Sequence, residues 1–127
     1  MSLKCTTLLC GENIIVDINT KKTTIVNLIE GMSVTPPLAI KINAYTTFEG
    51  EINNTHNVEF GIYVNNVLSK TTNVVLNFTK SKYLRNITPF GNIEVENYGL
   101  LKIEIKDLES NEIIKTHEII IIPKENI

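Results

Sequence analysis

Two cysteines, two histidines and scattered carboxylates are the residues of this 127-residue chain that could do chemistry. Nucleophilic catalysis would need Cys5 or Cys10 within reach of a base. The bases on offer are His56, in the polar stretch Asn53-Asn54-Thr55-His56, and His117, in the last apolar run. Neither cysteine opens a helix or sits in a nucleophile elbow, so each reads as a small buried hydrophobe rather than an activated thiol. On one extended strand Cys5 and Cys10 would lie about 16 Å apart with side chains on opposite faces, beyond the roughly 7 Å limit for a bridge. Free thiols are expected.

Metal and ligand chemistry find little support. Two histidines without HxH or HExxH spacing define no zinc site, and Asp17-x-Asn19 lacks the later Gly and Glu of a calcium loop. Asp107, Glu109 and Glu112 surround Ser110 and Asn111 at an expected hairpin tip and read as a solvated turn. Lys80, Lys82, Tyr83 and Arg85 form the one locally basic stretch, which fits an exposed connector better than a phosphate-contacting loop. All six glycines stand alone, so there is no Gly-rich phosphate loop. Tyr45, Tyr63 and Tyr98 sit out of phase with the apolar stripes or at strand ends. Tyr63 and Tyr98 are the candidate ligand face of a small-ligand or carbohydrate-binding module, although such tyrosines also serve as cross-strand stabilisers.

A net charge of −2 with dispersed lysines argues against a nucleic-acid partner. No segment approaches about eighteen uninterrupted apolar residues, and the first ten residues lack a secretory pattern, so neither a membrane nor export is expected and the chain reads as cytoplasmic. Asn-x-Thr sequons at Asn53, Asn77 and Asn86 are then products of Asn richness. Met1-Ser2-Leu3 carries no weight in this reading. The length fits one domain over residues 1–127.

The elements that must position these residues are strands. Apolar stretches rich in Ile, Val and Thr alternate with a period of two and break at Gly, Pro and Asn. Leu101, Ile103 and Ile105 point one way while Lys102, Glu104 and Lys106 point the other. Val58, Phe60, Ile62 and Val64 form a second stripe, ending at Asn65-Asn66, which suit a two-residue turn into Val67 and a return strand through Val74, Leu76 and Phe78. Further strands are expected over 6–10, 14–18, 23–29, 38–45, 93–95 and 112–122, with Pro36-Pro37 ahead of Leu38. No helical period is drawn over about ten residues or more. Eight or nine short strands without Trp or a Cys-Trp-Cys pattern give an all-β, antiparallel two-sheet sandwich, immunoglobulin-like in shape alone.

The run from Leu8 to Glu30 takes a Leu-Leu-Cys strand through Ile14-Ile15-Val16-Asp17 and Lys21-Lys22 to Ile-Val-Asn-Leu-Ile-Glu. With Pro36-Pro37, the Gly99–Ile105 segment Gly-Leu-Leu-Lys-Ile-Glu-Ile and Pro123, it resembles a family of small uncharacterised bacterial β-sandwich proteins. The resemblance implies a fold and no reaction, and Cys10 stands where that family often places a cysteine.

The functional expectation is a non-catalytic module that contacts another protein, a second copy of itself included, with no cofactor. Its candidate interface is Ile119, Ile120, Ile121 and Ile122, four successive isoleucines that put apolar groups on both faces of the last strand. Parity leaves open which pair faces out, since one shares its face with Lys115 and His117 and the other with Thr116 and Glu118. A third reading, less favoured, is an enzyme whose site is assembled from loops around His56 and a carboxylate.

Overall fold

The computed structural model describes residues 3–123. Among them are nine strands and no helix: β1 (Lys4–Val16), β2 (Thr23–Leu28), β3 (Gly31–Val34), β4 (Leu38–Glu49), β5 (Asn54–Val64), β6 (Val67–Phe78), β7 (Tyr83–Val95), β8 (Gly99–Asp107) and β9 (Glu112–Pro123). A four-stranded sheet in the order β2-β1-β4-β7 packs on a five-stranded sheet in the order β3-β9-β8-β5-β6. Pairing is antiparallel except between β3 and β9, which run parallel. The all-β sandwich expected from the alternation is therefore the fold. Between the sheets lie Phe48, Phe60, Phe78, Ile42, Ile62, Ile93, Leu101, Ile103 and Ile105, all fully buried. β8 shows the alternation most cleanly, with Leu101, Ile103 and Ile105 in this core and Lys102, Glu104 and Lys106 on the outer face.

The Asn65-Asn66 turn forms as expected, both residues having positive φ (50° and 67°), the signature of a tight hairpin. Other boundaries differ. The expected strands at 6–10 and 14–18 are one strand, β1, which pairs with β4 as far as Gly11 and with β2 from Gly11 onward. β7 starts ten residues before Ile93, so Tyr83 and Arg85 belong to a strand rather than a connector. β3 has only four residues and no readable period.

Cys5 and Cys10 do not face opposite ways. The register slips between Cys5 and Thr7, so one extra residue occupies β1 there and restores both thiols to the buried face. They remain free and unbridged, as expected.

The second half of β1 and all of β2 form an arm that leaves the sheet plane. β2 and β7 lie at opposite edges, three strand spacings or about 14 Å apart in a flat sheet. Yet Arg85 Nη1 on β7 donates to the Lys21 carbonyl and to Thr23 Oγ1, each at 2.8 Å. The arm therefore folds back across the outer face, and Asn43 Nδ2 ties its base by donating to the Glu12 carbonyl at 2.8 Å. Gly11 permits the bend, because a Cβ there would stand 2.5 Å from Ile25 Cγ2. Leu9, Asn43 and Tyr45 on the sheet, and Ile14, Val16 and Ile25 on the arm, are half-buried as a result, while Ile15 faces out.

Arg85→Ala should release the arm without unfolding the sandwich. Hydrogen exchange would then show faster amide exchange over residues 13–26, with protection of β5 and β8 unchanged. Equal loss of protection in both regions would show that the arm is part of the cooperative core.

Candidate functional site

The outer face of the five-stranded sheet carries the residues singled out by the sequence. β9 places Ile119 and Ile121 in the core, at 0% and 2% exposure, and turns Ile120 and Ile122 outward at 55% and 43%. The expectation of a two-faced strand thus resolves in favour of the pair that shares its face with Thr116 and Glu118. Ile120 stands between Leu100 of β8 and Gly31 of β3, and Ile122 lies beside Ser33. The side chain of an edge residue such as Ser33 and the missing one at Gly31 leave both isoleucines open to solvent.

The next rung along the sheet is polar. Glu118, Lys102, Tyr63 and Leu68 lie side by side across β9, β8, β5 and β6. Lys102 Nζ sits 3.5 Å from Glu104 Oε2 and 5.2 Å from the centre of the Tyr63 ring. The Tyr63 ring in turn lies over Gly61, where a Cβ would meet it at 3.2 Å. Tyr63 is thus a half-buried cross-strand stabiliser capped by an ammonium group. Tyr98 has a different setting: it is 45% exposed in the turn before β8, and its carbonyl accepts from Asn65 Nδ2 at 3.1 Å. Asn65 Oδ1 also accepts from the Leu100 amide at 2.9 Å, which joins the β5–β6 turn to the β7–β8 turn. Gly99, at φ 139°, makes room for this, since a Cβ there would collide with the Asn65 amide.

The remaining candidates are separated from one another. His56 is 7% exposed, edge-on to Phe78 with ring centres 5.8 Å apart, and neither of its nitrogens has a hydrogen-bond partner. His117 Nε2 donates to the Ile29 carbonyl at 3.4 Å, which fastens the lead-in to β3. Burial pushes the Cys5 thiol up to about 11 and the Cys10 thiol up to about 12. No cysteine–histidine pair exists among the described residues. Asp107 is buried and uses Oδ1 to accept the Glu109 amide at 3.0 Å, while its carbonyl accepts from Asn111 at 2.7 Å, so the acidic tip is a closed turn. No three His, Cys, Asp or Glu side chains converge on a metal position among the described residues. Lys80 and Lys82 are exposed, and Arg85 is occupied by the arm.

Shallow grooves flank the sandwich, and two of them are the more extensive. One of about 620 Å3 lies between Leu28, Met32, Val34 and Ile40, with Glu12 and Lys41 at its rim. The other, of about 430 Å3, runs between Val64, Val67 and Leu68 on one side and Glu94 and Glu96 on the other. His56 lines neither. Sequence reasoning missed the Asn65 bridge and the burial of Asp107. The positive-φ propensity of Asn65 was a readable signal, but its side-chain partner lies more than thirty residues away.

Fold and surface together define a two-sheet β-sandwich whose most distinctive outward feature is apolar. No protein-family model matches the chain, and no curated protein matches it.

Both thiols should resist alkylation at pH 8 in the folded protein and react fully in denaturant. Because their folded pKa values lie above the ordinary value of 9.0, the folded state holds these protons more tightly. Stability is therefore retained below pH 9 and falls as pH rises from 9 toward 11–12. A chemical denaturation series over pH 7–11 would show it, and a Cys5→Ala, Cys10→Ala double variant should lose that part of the slope.

His56→Leu removes two buried polar atoms that lack partners. It should raise the denaturation midpoint, by an amount corresponding to about 1 kcal/mol or more. A loss of several kcal/mol would mean that the imidazole has a partner in solution.

Proposed function

We propose that this chain is a non-catalytic, cytosolic β-sandwich module that works by contacting another protein through the outer face of its five-stranded sheet. The observation that carries this reading is the exposure of Ile120 and Ile122 beside the buried Ile119 and Ile121. Isoleucine held rigidly on a sheet loses little further side-chain entropy on binding, and its burial contributes roughly 25 cal/mol per Å2 of apolar surface. Leu100 on the neighbouring strand and Leu68 further along the same face extend the apolar surface around the Lys102 rung. The charged residues of that rung, Glu118 and Lys102, with Glu104 two residues along β8 on the same face, would form a polar border that sets orientation. The stacked four- and five-stranded sheets are in keeping with an immunoglobulin-like shape and with the resemblance to small bacterial sandwich proteins. No helix among the described residues is long and apolar enough to cross a membrane. The tyrosine-based ligand reading has less support, because Tyr63 is engaged by Lys102 and Tyr98 stands in a turn.

The test compares parent, Ile120→Lys and Ile121→Lys proteins as bait in the extract of the native host. Ile120→Lys should stay folded and lose the species that the parent retains. Ile121→Lys should not fold, since it places an unpaired charge in the core. Identical capture by the parent and a folded Ile120→Lys would show that this face is not the contact surface.

A further inference from the structure

A sheet edge offers unpaired amides and carbonyls to any strand that can reach it, and stable proteins blunt such edges. Three of the four edges here are blunted. β3 is four residues long. β2 is six residues long and ends near Asn27, which has positive φ (53°). β7 contains Pro89, and its register with β4 slips around Asn92, another positive-φ residue (54°).

The fourth edge, β6, slips in register once, at Ser69 near its start, and among the described residues has none of these devices beyond it. From Lys70 to Phe78 it pairs with β5 in unbroken register and contains no Pro, Gly or positive-φ residue. Its only charge over that stretch is Lys70. The direction of its free groups follows from its neighbour. The Asn57 carbonyl of β5 accepts from Leu108 on the β8 side, so the inward-facing residues of β5 direct their backbone groups toward β6. Their partners Thr72, Val74 and Leu76 are thereby bonded, and the Phe78 carbonyl accepts from Asn53 at 2.6 Å. The amides and carbonyls of Thr71, Asn73, Val75 and Asn77 consequently point to the open edge. The sandwich also gapes there: Lys70, Thr72 and Val74 on the inward side are only half-buried, whereas Ile103 and Ile105 of β8 are fully buried.

We propose that β6 pairs antiparallel with β6 of a second copy of this chain, about a two-fold axis at Asn73, to make a continuous ten-stranded sheet. Charge selects the occupant and the register. A strand with one charge near its end can meet itself without repulsion, because pairing about Asn73 sets Lys70 opposite Leu76 of the second copy. Shifting the axis to Val75 would set Lys70 opposite Lys80 of the second copy, a like-charge pair that destabilises a sheet. The chosen register places Thr71 opposite Val75, Asn73 opposite Asn73 and Thr72 opposite Val74, and covers the half-buried inward residues of both copies. An axis perpendicular to the sheet keeps both outer faces on one side, so the dimer would present two Ile120–Ile122 surfaces together. The pairing itself does not depend on what those surfaces bind.

An edge contact of this length is at the small end of specific interfaces, so dissociation at roughly 1–100 μM is expected. Sedimentation over 5–500 μM should show the parent passing from the 14.3 kDa chain mass to twice that value. Asn73→Pro deletes an amide that faces the open edge and spares the bonds to β5. It should keep the parental circular dichroism and remain monomeric throughout, while Ile120→Lys should dimerise as the parent does. Asn73→Cys gives a second reading. Its Cα atoms would face each other across the axis at about 5.5 Å, within disulfide range. Mild oxidation should convert it to a covalent dimer, whereas Asn77→Cys, about 27 Å from its own copy, should not cross-link. The buried Cys5 and Cys10 would not compete. A parent that stays monomeric at 500 μM, or a dimer that Ile120→Lys dissolves and Asn73→Pro does not, would overturn the proposal; the second result would place the copies face to face instead.

Discussion

The structure depends on the burial of one face of β8. Leu101, Ile103 and Ile105 are wholly removed from water, and each is flanked by bonded neighbours on β5 and β9. Truncating such a side chain to Ala costs about 2–5 kcal/mol, a large part of the stability of a domain this size. This row fixes the register of β5 and β9, and through them the positions of β6 and β3. The same alternation that supplies the core sends Lys102, Glu104 and Lys106 to the outer face. A charged ladder and an apolar interior are therefore two consequences of one constraint.

Departures from regular pairing are where the chain acquires its particular shape. The slip near Thr7 returns Cys5 to the core, and burial then makes both thiols poor acids and inert nucleophiles. Gly11 lets the β1–β2 arm fold back, and Arg85 holds it with two hydrogen bonds. Asn65 and Gly99 lock two turns together by mutual fit. The surface also carries the outward pair Ile120 and Ile122 on β9 and the regular edge of β6 from Lys70 to Phe78.

Among the described residues, His56 is the buried side chain whose polar atoms find no hydrogen-bond partner. Its orphaned nitrogens lie against Phe78 at the end of the core, away from both grooves. The Glu51 carboxylate is near enough to interact with the imidazole charge, but His56 lines neither groove. Its burial beside an aromatic ring favours a packing role instead.

The sequence by itself determined the strand class, the central alternation of β5 and β8, the Asn65-Asn66 turn and the presence of apolar groups on both faces of β9. Each of these is written in the side-chain period or in the backbone preference of adjacent residues. Tertiary structure alone decided that Ile120 and Ile122 face out, that Cys5 and Cys10 share the core, that residues 4–16 form one bent strand and that β6 is an open edge. The inward or outward sense of a residue depends on every bulge between it and its partner, and a bulge is defined only against the strand opposite. Edge status likewise depends on which strands fail to become neighbours. β7, with Arg85, Pro89 and Asn92 interrupting its alternation, shows the limit: its thirteen residues are a strand because β4 supplies eleven paired positions, a fact that no local pattern records.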